Sequence, residues 1–512
     1  MKKINKYLWD SHNRSKDLLT MKRVRGLFTG GINNETGLVP EEVKKTYSLT
    51  QIIGLILGPL LFILIYWVLP LDGLSSAGRG VFAIIVWVAI WWILEVMPLG
   101  ITSLLPIILL PIFTNVSGKE AATSYADPLN FLFLGGFAIA LALERWRLHE
   151  RIAITVISFV GTSLSGLIIG FMLATGFLSM WVSNTATALL MIPIGTAIAT
   201  KIIQLMREEE GHSLEEEVKF EKSIIFAIGF GATIGGSATL IGTPTNLILA
   251  GLSKELLGID ISFAKWMLFA VPLISLLMVF ASIYLTRFAY PLKLKRLEGS
   301  QAYISETKKE LGKMSYEEKM VSLVFILTAF FWISRSFLWV GVIPGISDTM
   351  IALAGALLLY LIPSKRGDNG RLLDGSSLKK MPWDVLLLVG GGMAIAAGFA
   401  KTDLSQWAGQ QLLALEGMSY FTVLCAMTFI SIMMTQVTPN TATGTILIPI
   451  AITLALATGT HPLPLMTASA LGAGFAYMMP ISTPSNAIIF ATGKITFRDM
   501  LLKGIALTVV TL

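Results

Sequence analysis

Apolar runs near the length that crosses about 30 Å of hydrocarbon recur along the whole chain. They fall at roughly 49–70, 79–97, 100–114, 128–146, 162–203, 223–252, 264–288, 318–340, 347–363, 383–401, 420–458, 466–493 and 499–512. The pattern predicts an all-α polytopic membrane protein, since a transmembrane β-barrel would show short segments of alternating hydrophobicity. Two runs, 162–203 and 420–458, are about twice the length of a single span. Small polar residues interrupt each near its middle: Ser183-Asn184-Thr185-Ala186-Thr187 in the first and Pro439-Asn440-Thr441-Ala442-Thr443 in the second. Each runs on in the same way, to Ile192-Pro193-Ile194 and to Ile448-Pro449-Ile450. Polar atoms inside an apolar run are costly unless they bind something, so the duplicated tip is the first functional clue.

Basic residues set the expected sidedness. Lys2, Lys3, Lys6, Arg14, Lys16, Lys22, Arg23 and Arg25 precede the first run and place the N-terminus in the cytoplasm, against anionic headgroups. Three crossings then put 114–127 outside, and 128–146 returns to the inside, where Arg145, Arg147 and Arg151 follow. A single crossing at 162–203 would leave the basic loop with Arg287, Lys293, Lys295 and Arg296 outside. A hairpin entering and leaving by the inner face keeps that loop inside, with Lys365 and Arg366. The same walk makes 420–458 a hairpin from the outer face, giving about 11 transmembrane helices and two re-entrant hairpins. Two adjacent crossings would leave the same loop sides there. The hairpin rests on the polar tip, because non-helical backbone at that depth needs protein or a cavity around it.

The repeat extends beyond the tips. Gly135-Gly136-Phe137-Ala138-Ile139-Ala140 matches Gly391-Gly392-Met393-Ala394-Ile395-Ala396, and Gly242-Thr243-Pro244-Thr245-Asn246 echoes Ser482-Thr483-Pro484-Ser485-Asn486. One glycine copy runs outside to inside and the other inside to outside, the inverted-repeat design of secondary transporters. The expected organisation is a basic cytoplasmic segment (1–48), scaffold helices (49–127) and a first repeat (128–288). A cytoplasmic linker (289–316), further scaffold helices (317–382) and a second repeat (383–512) follow.

Composition narrows the alternatives. The chain has 512 residues, 54% hydrophobic and 14% charged, against about 25% charged in soluble domains. Its net charge of +7 sits in flanks and loops between spans, so no nucleic-acid partner is expected. No short apolar core precedes a small-residue cleavage site, so no signal peptide is expected, and 499–512 is short for a last crossing. The lone Cys425 excludes an intramolecular disulfide, and His12, His149, His212 and His461 are too scattered for a metal site. An intramembrane enzyme would need a His, Asp or metal constellation inside the spans, and a cation/proton antiporter a carboxylate at mid-membrane. Neither is visible near a tip. Glu144 is expected to pair with the neighbouring arginines, and Glu208–Glu210 with Glu215–Glu217 to form a solvated helix face.

The tips carry the chemistry. Backbone NH groups at the start of the second half-helix, with its dipole, favour an anion. The asparagine carbonyl and exposed backbone carbonyls suit a hard cation. A carboxylate and a sodium ion fit side by side, whereas a plain helix–turn–helix would use the same residues as an N-cap. Pro244 and Pro484, beside Gly242 and Ser482, predict unwound backbone whose carbonyls are ready cation ligands; the alternative is a structural kink satisfied by a neighbouring helix. No Arg or Lys lies near either tip, so dipoles, amides and co-bound cations would neutralise the anion, which favours sodium coupling.

On Ser183-Asn184-Thr185, Pro439-Asn440-Thr441 and the Thr-Pro pairs 243–244 and 483–484, the chain beyond residue 48 resembles the divalent-anion/sodium symporter family. The resemblance implies an elevator-type homodimer in the cell membrane that is no enzyme. It would carry succinate, malate, fumarate, 2-oxoglutarate or, in some members, citrate or sulfate. It implies one sodium site at Ser179, Ser183, Asn184 and the Gly242 backbone, and a second at Thr435, Asn440 and the Ser482 backbone. Substrate carboxylates would meet Ser183, Asn184 and Thr185 on one side and Asn440 and Thr441 on the other, with Thr243, Pro244, Thr483 and Pro484 nearby. Pro439 departs from the serine usual in the family. It has no hydroxyl and no NH, which puts the second sodium ion in question and leaves sodium-independent exchange as the alternative.

Overall fold

A computed structural model describes residues 48–208, 213–293, 297, 299–366, 370–412 and 419–512. The basic segment 1–47 with His12, and Glu209, Glu210, His212, Lys295 and Arg296, lie outside the described residues. Among the described residues the chain is helical, with one isolated bridge between Pro363 and Arg371.

The chain enters α1 (Leu49–Ile63) through a capping box, Ser48 Oγ accepting from Gln51 N while the Gln51 side chain accepts from Ser48 N. α2 (Ser76–Ile93) packs against it. The run expected at 100–114 divides into α3 (Leu99–Thr102) and α4 (Leu105–Phe113), because Pro106 has no NH to continue the ladder. After α5 (Gly118–Thr123) and α6 (Pro128–Arg145) comes α7 (Leu148–Val160). Its charged first turn hid it from an apolar-run reading. Left-handed Arg147 (φ 53°) starts it, and Gly161 (φ 123°) ends it.

Both double-length runs are helix–break–helix units. The first comprises α8 (Leu164–Ser179) and α9 (Asn184–Met206). Next come α10 (Leu214–Gly236), α11 (Pro244–Leu257), α12 (Phe263–Ile283), α13 (Ser300–Glu310), α14 (Tyr316–Ser334), α15 (Asp348–Leu361), α16 (Trp383–Lys401) and α17 (Leu404–Leu412). The second unit is α18 (Tyr420–Thr435) and α19 (Asn440–Ala457), followed by α20 (Pro462–Gly474), α21 (Pro484–Ala491) and α22 (Phe497–Thr511). Pro244 and Pro484 therefore do not kink continuous helices. Each opens a new helix at its first position, where a missing NH costs nothing.

Among the described residues seven helical segments are long and apolar enough to cross a membrane: Leu49–Val68, Ser76–Ile93, Gly118–Arg145, Asn184–Met206, Phe263–Ala289, Tyr316–Trp339 and Trp383–Lys401. The interruptions leave further apolar helices at partial length, among them Leu164–Ser179 and Tyr420–Thr435. Apolar side chains face outward along the long helices, with Ile56, Leu276 and Ile326 all exposed, as is Leu357 on the shorter α15, as a lipid-facing surface requires.

Small residues set the closest packing. An added Cβ on Gly231 or Gly235 of α10 would collide with backbone of α8 at Met172 or Gly176. The two halves also cross over. α11, which follows the first break, packs against α19 and α20 of the second half, while α21, which follows the second break, packs against α9 and α10 of the first. Each half thus supports the other's interrupted helix.

Charged side chains pair away from the breaks. Arg145 bonds Asp374 at 2.7 Å, Arg147 bonds Glu150 at 2.7 Å, and Arg151 bonds Glu318 at 2.9 Å. Arg145 at the end of α6 and the arginines after it thus find Asp374, Glu150 and Glu318 rather than the expected Glu144, because α7 turns Arg151 toward the start of α14. The expected solvated acidic face is also only partly right: Glu216 and Glu217 are buried, Glu217 against Arg207 at 2.8 Å and Glu216 accepting from Lys293 N at 2.6 Å.

Candidate functional site

Each tip brings three oxygens together around one hydroxyl. In the first half, Ser179 ends α8 and is fully buried. Its Oγ lies 2.7 Å from Asn184 Oδ1, across the tip, and 2.8 Å from the Ala232 carbonyl of α10. In the second half, buried Thr435 ends α18, with Oγ1 2.8 Å from Asn440 Oδ1 and 2.7 Å from the Ala473 carbonyl of α20. A hydroxyl has one proton to give, so at each tip two acceptors compete for it. Three convergent oxygens with a single hydrogen form a small electron-rich cluster. Oxygens converging in that arrangement, shielded from most of the solvent, suit a hard cation better than one another.

The tip backbone supplies the opposite preference. α9 and α19 begin at Asn184 and Asn440, so their first-turn NH groups and positive dipole ends face the tip. Ser183 Oγ caps α9 by accepting from Ala186 N at 3.3 Å. Asn184 and Thr185 are half-buried, as are Asn440 and Thr441. The Thr185 and Thr441 hydroxyls make no side-chain hydrogen bond among the described residues. They remain available to an anion that approaches the helix starts.

The breaks complete the surroundings. In segment 237–243, Gly242 N donates to Thr239 Oγ1 at 3.1 Å, and Gly242 sits so close to the Gly236 and Ser179 carbonyls that a Cβ would collide with both. An added Cβ on Gly236 would in turn strike Asn184. The glycines therefore let the break close onto the tip, and they bring Ser179, Asn184 and Gly242 together. In segment 475–483, Ser482 Oγ donates to the Met479 carbonyl at 2.7 Å. Thr243 and Thr483 are buried one residue ahead of their prolines, within 3.3 Å of Thr245 Oγ1 and 3.0 Å of Ser485 Oγ respectively. Thr245 of α11 also packs where a Cβ on Gly444 of α19 would meet it, which ties the first break to the second tip.

No residue of a tip or break takes part in an ion pair among the described residues, and no group of three His, Cys, Asp or Glu there is placed to hold a metal. Two features escaped the sequence reading. The Ala232 and Ala473 carbonyls are backbone, which residue type does not advertise. Gln436 lies inside an apolar run, where a buried amide is itself a signal. Gln436 is buried and fully bonded: Nε2 donates to the Ile432 and Phe475 carbonyls at 3.0 and 3.1 Å, and Oε1 accepts from Tyr477 N and Met478 N at 3.2 and 3.0 Å. It fastens the second tip to the second break. The corresponding residue of the first half is Met180.

The chain is similar to known proteins over most of its length. Residues 50–512 match the family described as the sodium:sulfate symporter transmembrane region. The sodium-dependent dicarboxylate transporter of Staphylococcus saprophyticus is 44% identical over 465 residues, covering 90% of this chain and 89% of that protein. The transporter of the same name from Staphylococcus aureus strain USA300 is 44% identical over 466 residues, with the same coverage.

Proposed function

Because the chain belongs to the sodium:sulfate symporter family, we propose that it is a secondary transporter carrying dicarboxylates such as succinate, malate, fumarate or 2-oxoglutarate together with sodium ions. The carrying observation is the doubled oxygen cluster, Ser179–Asn184–Ala232 and Thr435–Asn440–Ala473, each beside a helix start. One sodium ion is assigned to Ser179, Ser183, Asn184 and the Gly242 backbone, and a second to Thr435, Asn440 and the Ser482 backbone. Retention of the second cluster despite Pro439 supports the second ion. The substrate carboxylates are assigned to Ser183, Asn184 and Thr185 on one side and Asn440 and Thr441 on the other, with Thr243, Pro244, Thr483 and Pro484 closing the site. A dianion offers one carboxylate to each tip, with sodium, NH dipoles and hydroxyls in place of basic side chains.

The architecture that goes with this function has about 11 crossings, two re-entrant hairpins and inverted halves. An elevator-like movement carries the two repeats (128–288 and 383–512) against scaffold helices (49–127 and 317–382). The assembly is a homodimer in the cell membrane, with its N-terminus in the cytoplasm. The crossed packing of α11 and α21 onto the opposite halves supports one body that moves as a unit.

The test is uptake of labelled succinate into proteoliposomes under an inward sodium gradient, beside counterflow in sodium-free buffer. Symport is expected to give sodium-driven accumulation and little sodium-free counterflow. Full counterflow without sodium would establish exchange instead. Accumulation of sulfate without succinate would overturn the substrate class.

A further inference from the structure

Buried asparagines stand at matched places just after the two breaks. Asn246 and Asn486 are both fully buried. Asn246 Nδ2 donates across the first break to the Ser237 carbonyl at 3.1 Å and the Thr239 carbonyl at 2.7 Å. Asn486 Nδ2 donates across the second to the Ala476 and Met479 carbonyls at 3.0 and 3.1 Å, and lies 3.0 Å from Ser482 Oγ. Each amide spends its hydrogens on carbonyls that the lost helix would otherwise have satisfied. Turning either amide over would aim its oxygen at those carbonyls, so the orientation is fixed by chemistry. Each Oδ1 is left buried and without a hydrogen-bond partner. An orphan buried acceptor costs stability, and here the same cost recurs at both copies.

We propose that Asn246 and Asn486 are the positioning residues of the two half-sites. Their amides hold the interrupted backbone in the shape that receives sodium, and each leaves one spare carbonyl oxygen in the cation's surroundings. The inference rests on the sodium reading above and adds residues to it. Holding the break from its far side fixes where the Gly242 and Ser482 backbone can lie, as outer-shell partners fix metal ligands. The two braces are not equally supported. The first break has Asn246 and the Trp266 indole, which also donates to the Ser237 carbonyl at 3.2 Å. The second has Asn486 together with Gln436, which holds Phe475, Tyr477 and Met478 independently. Loss of Asn246 therefore disturbs its half-site more.

Sodium alone, replaced by choline at constant ionic strength, is the probe, and thermal unfolding of the purified full chain is the readout. Succinate KM at saturating sodium is measured beside it. Outer-shell losses cost metal sites about 10- to 100-fold in affinity. Asn246→Ala is therefore expected to raise the sodium concentration for half-maximal stabilisation about tenfold, and Asn486→Ala to raise it less. Succinate KM at saturating sodium should stay near that of the parent. The control is Asn130→Ala, since Asn130 is also buried with an orphan Oδ1, and its side chain bonds only the Tyr125 carbonyl, which belongs to neither break. Its sodium midpoint should not move. If Asn246→Ala does not fold, Asn246→Ser replaces it under the same criteria, since serine is too short to bridge both carbonyls. Unchanged midpoints in the site variants, or an equal shift in Asn130→Ala, would overturn the bracing role alone. A parent protein whose unfolding ignores sodium would overturn the sodium reading as well.

Discussion

Ser179, Asn184 and the Ala232 carbonyl in one half, and Thr435, Asn440 and the Ala473 carbonyl in the other, reach nearly the same spacings from different sequences. Around that shared cluster the halves diverge. The first tip has Met180, Val182 and Ser183 where the second has Gln436, Thr438 and Pro439. At the second tip Thr438 Oγ1 lies 2.6 Å from Thr443 Oγ1, a hydroxyl pair that Val182 cannot form. The first tip is closed by glycine contacts and a serine cap, the second by a glutamine clamp. The oxygen cluster is thus set by the hydroxyl five residues before the N-terminal asparagine of each second helix and by one neighbouring carbonyl. Positions 183 and 439 differ in the cap they give the helix start, a hydroxyl at Ser183 and none at Pro439.

The strongest way to break this equivalence is to remove one asparagine at a time. Asn184→Ala and Asn440→Ala each delete one oxygen of a cluster and one amide proposed to meet substrate. Each is expected to reduce succinate uptake in proteoliposomes by at least about tenfold, the lower end for losses around a bound metal. Uptake at parental rates in both would sink the site assignment. Loss in one alone would show that the halves are unequal in function despite equal geometry.

A smaller effect tests the clamp. Gln436→Met gives the second half the residue of the first and leaves the buried Tyr477 NH and the half-buried Met478 NH without acceptors. Unsatisfied groups of that kind cost about 1–3 kcal/mol each, so the melting temperature should fall by several degrees. The reverse change, Met180→Gln, has no matching pair of free NH groups to accept and should bring no gain. An unchanged melting temperature in Gln436→Met would mean that the second break is held by Asn486 alone.

Much of this was legible in the chain because the hydrophobic pattern and its interruptions obey bilayer physics. The helix starts at Asn184 and Asn440 and the unwinding ahead of Pro244 and Pro484 follow from polar tips and missing NH groups. What escaped depends on three-dimensional closure. α7 was hidden because His149, Glu150 and Arg151 break the apolar run, although its later turns pack on the core. Proximity in sequence points Glu144 to the neighbouring arginines, whereas α7 carries Arg151 to Glu318. The carbonyls of Ala232 and Ala473 could not be read at all, since any residue type offers the same oxygen.

Pro439 gives the finest test, because its backbone answers the question its side chain raises. Ser183 sits at φ −56°, ψ 148° and Pro439 at φ −59°, ψ 138°, so the two caps share a conformation that suits proline. The serine hydroxyl, where present, is engaged with Ala186 N. Substituting Pro439→Ser should restore a cap on Ala442 N, worth about 1 kcal/mol. It should also release unfolded-chain entropy worth about 0.4–1 kcal/mol the other way. The two nearly cancel, so stability should change by less than about 1 kcal/mol. The sodium dependence of uptake should hold within about twofold, because a difference of about 0.4 kcal/mol is all that such a ratio reports. A tenfold gain in apparent sodium affinity would instead make position 439 a cation ligand, and the missing serine a true loss in the second half-site.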